Sequence, residues 1–251
     1  MIYMRLVTWL IVLIALSSEA QWPSAKVIAQ TKNGAGLIDG IVTYENRTPV
    51  KNATVYAVPM GRPVSAIMPH ADTDETGYFA IHIFPSWFGR FAVGAEKLDE
   101  DYLNMTNQFY SNGKFETVTL TSGHRTATVI IRLGPKAGVL QGRVIDAITG
   151  APLKPCVEFR RVLNPNNFLA ANGLVKPRYR LLVPPNTGIM MKISLDGYKP
   201  WYYPGTSDKL ASQPVWLKPA EERNVDIELQ PDNDAANNGC PKPVGTAAYS
   251  R

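Results

Sequence analysis

The chain has 251 residues, of which 45% are hydrophobic, 10% aromatic and 19% charged, with a formal net charge of +5. That is the profile of a globular protein and excludes a low-complexity or disordered one. Its 26 lysines and arginines are scattered along the chain; they form neither the basic stripe nor the motif of a nucleic-acid binder, so no nucleic-acid partner is expected.

At the N-terminus a basic start ending at Arg5 leads into an apolar run over residues 6–16, followed by Ser18-Glu19-Ala20. This is the pattern of a secretory signal peptide, residues 1–20, cut after Ala20. The apolar run is well short of the roughly 20 residues that cross a bilayer, so no membrane span is expected after cleavage. No cysteine stands directly after it for lipid attachment. The mature chain is read as secreted, either extracellular or periplasmic, and opens with a linker over residues 21–35.

Two copies of one pattern then follow, over residues 36–135 and 136–231. Leu37-Ile38-Asp39-Gly40-Ile41-Val42 opens the first and Val139-Leu140-Gln141-Gly142-Arg143-Val144 the second, with Gly40 matched to Gly142. A polar turn with proline follows in each, at Pro49 and Pro152, and then a strand over residues 53–58 or 156–162. Further short runs read as strands at 78–84, 88–95 and 116–120 in the first copy and at 178–183, 189–195 and 214–217 in the second. Val129, Ile131 and Leu133 close the first copy with the alternation that Val225, Ile227 and Leu229 repeat in the second. Period-two alternation between turn signals marks strands with one face in a core. No segment carries a sustained helical stripe, so the fold class is all-β: two tandem antiparallel β-sandwich domains. Gly134-Pro135-Lys136-Ala137-Gly138 joins them too briefly for a tether. Residues 232–251, rich in Asp, Asn, Ala, Gly and Pro, read as a disordered tail.

Gly142-Arg143-Val144-Ile145-Asp146-Ala147-Ile148-Thr149-Gly150-Ala151-Pro152-Leu153 and Thr73-Asp74-Glu75-Thr76-Gly77-Tyr78-Phe79 resemble segments of the carboxypeptidase regulatory-like domain. That family has a transthyretin-like, or prealbumin-like, β-sandwich, grouped with carbohydrate-binding-like folds. Asp196-Gly197-Tyr198 and Tyr202-Tyr203-Pro204-Gly205-Thr206 look like segments of its exported bacterial members. The resemblance implies accessory, non-catalytic modules. The first copy departs from it in its Asn46-Arg47-Thr48-Pro49 turn, and the second has no clear Asp-x-x-Gly before its middle strand.

The residue inventory supports the same reading. The three histidines, His70, His82 and His124, form no zinc-ligand motif, and no nucleophile elbow, phosphate loop or dinucleotide fingerprint is present. No catalytic residue, cofactor or metal is therefore expected. His70-Ala71-Asp72-Thr73-Asp74 and Asp99-Glu100-Asp101 read as polar loops, since neither has the spacing of a calcium loop. Sequons stand at Asn46, Asn52 and Asn104. Cys156 and Cys240, the only cysteines, fit either a disulfide or a buried thiol plus an exposed one. Trp87, Phe88, Trp201, Tyr202, Tyr203 and Trp216 are the candidate ligand-binding residues, because aromatic rings at turns suit the flat faces of sugars. Filling of the core by the same rings stands beside that reading, and three consecutive rings on an extended chain cannot share one side. The expected function is secreted, non-catalytic carbohydrate binding, with a polysaccharide or glycan as partner. The alternative is a structural or adhesion component contacting another envelope protein.

Overall fold

The computed structural model describes residues 34–61, 68–103, 115–162, 168–171 and 178–232. The signal peptide, most of the linker, Asn104, Cys240 and residues 233–251 of the tail lie outside the described residues.

Regular structure among the described residues consists of strands and single turns of 3-10 helix. The first module contains β1 (Gly36–Thr43), β2 (Thr54–Pro59), β3 (His70–Asp72), β4 (Tyr78–Ile83), β5 (Gly89–Glu96), β6 (Glu116–Leu120) and β7 (Thr126–Arg132). They form two sheets, ordered β4-β1-β7 and β3-β2-β5-β6. The second contains β8 (Gly138–Asp146), β9 (Cys156–Arg161), β10 (Phe168–Ala171), β11 (Arg178–Val183), β12 (Ile189–Ser194), β13 (Trp201–Tyr202), β14 (Glu222–Asn224) and β15 (Ile227–Leu229). Its sheets run β11-β8-β14, with β15 also on β8, and β10-β9-β12-β13. Matched positions in the two orders confirm the internal repeat.

Each sandwich closes on its own core. Ile38, Val42, Val55, Phe79, Ile81, Phe91, Val93, Leu120 and Ile131 meet in the first, and Leu140, Val144, Val157, Phe159, Met191, Ile193, Val215 and Ile227 in the second. These are every-other residues of their strands, as a half-buried sheet requires.

The strands are not all antiparallel. β7 runs parallel to β1, with Val129 opposite Gly40, and β14 and β15 run parallel to β8. In each module the closing strand returns from the other sheet, so it can lie beside the opening strand in the same direction. Residues 225–226 interrupt the second copy's closing strand, and Asp226 accepts there from the Arg143 backbone N–H at 3.0 Å. Residues 214–217, expected as a strand, contribute only an isolated bridge, Val215 to Ile189. His70–Asp72, expected as a loop, is an edge strand.

The matched glycines explain why the repeat is visible in sequence. A Cβ on Gly40 would stand 1.8 Å from the Val129 carbonyl oxygen, and one on Gly142 would stand 2.1 Å from that of Val225. The closing strand crosses so near that no side chain fits.

The joint is built as well as short. Asp101 has a left-handed backbone (φ 68°), its carbonyl accepts from the Ala137 N–H at 2.8 Å, and its carboxylate takes two hydrogen bonds from Arg180 at 2.8 and 2.9 Å. The Lys136 ammonium lies 5.5 Å from the centre of the Tyr102 ring. Lys97, buried, pairs with Asp99 at 3.0 Å and Glu100 at 3.5 Å. Tyr44 donates to Glu100 at 2.8 Å; burial, then that hydrogen bond, pushes its hydroxyl up to about 12. The acidic run at 99–101 is thus engaged in pairing.

Candidate functional site

Strand alternation distributes the six candidate rings, because a side chain's face is fixed by its register. Trp87 ends the single 3-10 turn Pro85–Trp87 and, with Phe88, is half-buried against the first core. Phe88 lies over Gly36, where a Cβ would meet its ring at 2.7 Å. Trp201 belongs to the second core, only 7% exposed. Tyr203 packs edge-on against it, with ring centres 6.3 Å apart, and accepts from Arg223 at 3.0 Å. Tyr202, between them, pairs with Lys192 and so faces outward. The rings therefore form no single platform: two cover the first core, two fill or cover the second, and two remain.

Those two, Tyr202 and Trp216, share the outer face of the β10-β9-β12-β13 sheet. Val215 and Leu217 point inward, so Trp216 points out, 54% exposed. Its indole lies flat on Gly188, where a Cβ would be 2.6 Å from Cζ2. An ion trio on β9 and β12, which the motif search missed, shares this face, its Glu158 and Arg160 on the opposite side of β12 from both rings. Glu158, 6% exposed, pairs with Arg160 at 3.2 Å and with Lys192, its cross-strand partner, at 3.3 Å. Met190, partly buried, stands opposite Arg160 on the same face. The signal for this cluster was the alternation of Cys156-Val157-Glu158-Phe159-Arg160, which puts both charged residues away from the core. Cys156 is also on this face and is buried.

A second surface lies on the first module. On the outer face of the β4-β1-β7 sheet, Tyr78, Ile41 and Ile130 form one register row. Ile130, on edge strand β7, is 53% exposed, and Phe84, just past β4, is 73% exposed. Asp39 joins the strands there, accepting from Thr128 at 2.7 Å. The corresponding face of the second module is charged instead: Arg143 binds Asp226 at 2.7 Å, and Gln141 donates to Glu222 at 3.3 Å.

Among the described residues no group of three or more His, Cys, Asp or Glu could hold a metal ion. No helix among them is long and apolar enough to cross a membrane, which says nothing of strands. His70 sits on β3 with its ring 5.9 Å from that of Tyr56. Tyr56 also donates to Glu96 at 3.0 Å, and burial raises the Glu96 carboxyl above its ordinary value although that hydrogen bond opposes the shift.

Fold and surfaces define a tandem β-sandwich protein. No protein-family model and no curated protein matches the chain. Among solved structures it is similar to the Bacillus anthracis TIE protein, at 12% identity over 78% of this chain and 34% of that one, with a TM-score of 0.30. It is also similar to a streptococcal ancillary pilin, at 12% identity over 80% of this chain and 64% of that one, with a TM-score of 0.28. For the shaft pilin SpaA from Lactobacillus rhamnosus GG the values are 11% identity, 79% of this chain, 98% of that one and a TM-score of 0.31. The chain thus spans about a third of the first protein and under two-thirds of the second. Likeness this distant carries no argument, and the architecture rests on the strand pairing above.

Proposed function

We propose that the chain is a secreted, non-catalytic structural or adhesion component of the cell envelope that acts through protein–protein contacts. The observation that carries this reading is the apolar row Tyr78–Ile41–Ile130, ending at the edge strand β7. A strand at a sheet edge offers unpaired backbone groups to another chain, and an exposed isoleucine beside them adds apolar area to such a contact. Soluble proteins usually blunt such edges with charge or proline. The carboxypeptidase regulatory-like resemblance fits this reading, since that family's modules are accessory ones. Export is supported by the signal-peptide pattern in residues 1–20.

Carbohydrate binding by all six rings is the weaker reading, because Trp201 is a core residue and Trp87 and Phe88 pack on the other module's core. Co-sedimentation of purified residues 21–251 with the envelope fraction of the source tests the leading reading. Ile130→Asp should abolish it while leaving thermal unfolding nearly unchanged, since an exposed substitution costs within about 0.5 kcal/mol. Undiminished co-sedimentation of the variant would contradict the assignment of this face.

A further inference from the structure

We infer that the outer face of the β9-β12-β13 sheet is a binding site for a hexopyranose chain, read by Trp216 and Tyr202 together with the Glu158–Arg160–Lys192 trio. The inference goes beyond the protein-contact reading and uses a different module and a different sheet.

Trp216 is costly where it stands. An indole more than half exposed forfeits most of the burial that would stabilise it. Even so, its place is set by structure: the flanking Val215 and Leu217 anchor its backbone in the core, and the missing side chain at Gly188 lets the ring lie flat on the sheet. Part of the indole is thereby pressed on backbone and the rest is left to solvent. A pre-oriented ring loses little freedom on binding. Such a platform suits the apolar face of a sugar ring.

Tyr202 sits beside Lys192, four residues along β12 from Gly188, so the two aromatic positions are about 13 Å apart at the rise of a strand. That is the span of a short oligosaccharide lying along β12. Along the other side of that strand a carboxylate and a guanidinium on β9, with the Lys192 ammonium on β12, hold one another at 3.2 and 3.3 Å. The trio presents both acceptors and donors in fixed positions, one carboxylate held by two cations. Hydroxyl groups, which donate and accept at once, match this arrangement. Partly buried Met190 adds apolar floor between the rings.

The test is tryptophan fluorescence titration of residues 21–251 with cellohexaose, maltohexaose and chitohexaose, repeated on variants. At least one oligosaccharide should bind. Trp216→Ala and Tyr202→Ala, with binding followed by calorimetry, should each weaken it about tenfold. Gly188→Val, which keeps the indole but lifts it from its seat, should weaken it comparably, while Trp87→Ala in the other module should not. Circular dichroism and unfolding curves confirm that each variant is folded. Absence of binding by all three sugars, or equal binding by the Trp216→Ala/Tyr202→Ala double variant, would overturn the site. So would loss of a self-associated form in that double variant by sedimentation, because the face would then be a protein contact.

Discussion

Arg180 of the second module donates two parallel hydrogen bonds to the Asp101 carboxylate of the first, at 2.8 and 2.9 Å. A guanidinium and a carboxylate paired as two forks fix orientation as well as distance. The Asp101 carbonyl also receives the Ala137 N–H, so one residue ties the linker and the second sandwich to the first. The pair is partly exposed, with side chains 46% and 23% accessible, so its worth is orientation more than stability. Asp101→Asn keeps a side chain that tolerates the left-handed backbone and removes the charge. A double-mutant cycle with Arg180→Ala should give a coupling of about 0.5 kcal/mol that shrinks in high salt. Residual dipolar couplings should show the two modules losing their common alignment in either variant. Unchanged alignment would mean that the Ala137 contact and the Lys136–Tyr102 stack suffice.

Gly40→Ala and Gly142→Ala should each be severe. The new methyl group would meet a backbone carbonyl at 1.8 or 2.1 Å, and backbone cannot step aside without breaking the parallel pairing of β7 or β14 with the opening strand. A loss of about 3 kcal/mol or more is expected in urea unfolding, or no soluble protein at all. Gly61→Ala is a useful contrast. It has open space around it but a φ of 74°, so it should show only the smaller cost of backbone strain.

Two carboxylates should give opposite pH dependence. Asp146 is held down to about 2, first by the backbone N–H of Thr149 and then by the Tyr198 hydroxyl. Its contribution is therefore complete above the ordinary aspartate value of about 4 and is lost as pH falls from there toward 2. Asp146→Asn should flatten that part of the unfolding-midpoint profile. Glu96 is raised by burial, so its ionised form burdens the folded state. Stability should fall as pH rises through its folded value, and Glu96→Gln should remove the decline. A Glu96→Gln profile parallel to that of the wild type would rule out this role for burial.

Cys156 is buried on the outer face of β9, and its only candidate partner in the chain is Cys240. A bridge would tie the C-terminal segment to the second sandwich. In unfolded, unreduced protein neither thiol should then react with iodoacetamide, and both should react after reduction. Cys240→Ser should destabilise the second module by about 4 kcal/mol on the chain-entropy account. Alkylation of both cysteines before reduction would show that there is no bridge.

Much of the fold could be read from the chain because the repeat lies in backbone-critical residues. Gly40 and Gly142 mark the crossing of the closing strand, and 116–120 and 178–183 carry strand signals whose limits coincide with β6 and β11. Parallel pairing could not be read, since alternation reports which face is buried but not strand direction. The interruption at Val225–Asp226 was hidden for a similar reason. It is held by Tyr179 donating to the Val225 carbonyl at 2.5 Å and by Arg143 on Asp226, contacts between positions far apart in sequence. Among the candidate rings, alternation put Trp201 and Tyr202 on opposite sides but did not tell which of them faces the core. What it could not give was the neighbourhood of Trp216, which depends on Gly188 arriving from another strand, or the charged trio, whose members sit on two paired strands.

Site-specific incorporation of a benzophenone amino acid at Ile130, irradiated on the intact source envelope, tests the central claim most directly. The account expects a covalent adduct of defined mass with one partner protein, and none when the same group replaces Leu210, exposed on the second module. Irradiation that yields only unmodified protein from Ile130, or the same adducts from both positions, would contradict a protein-contact role for this face.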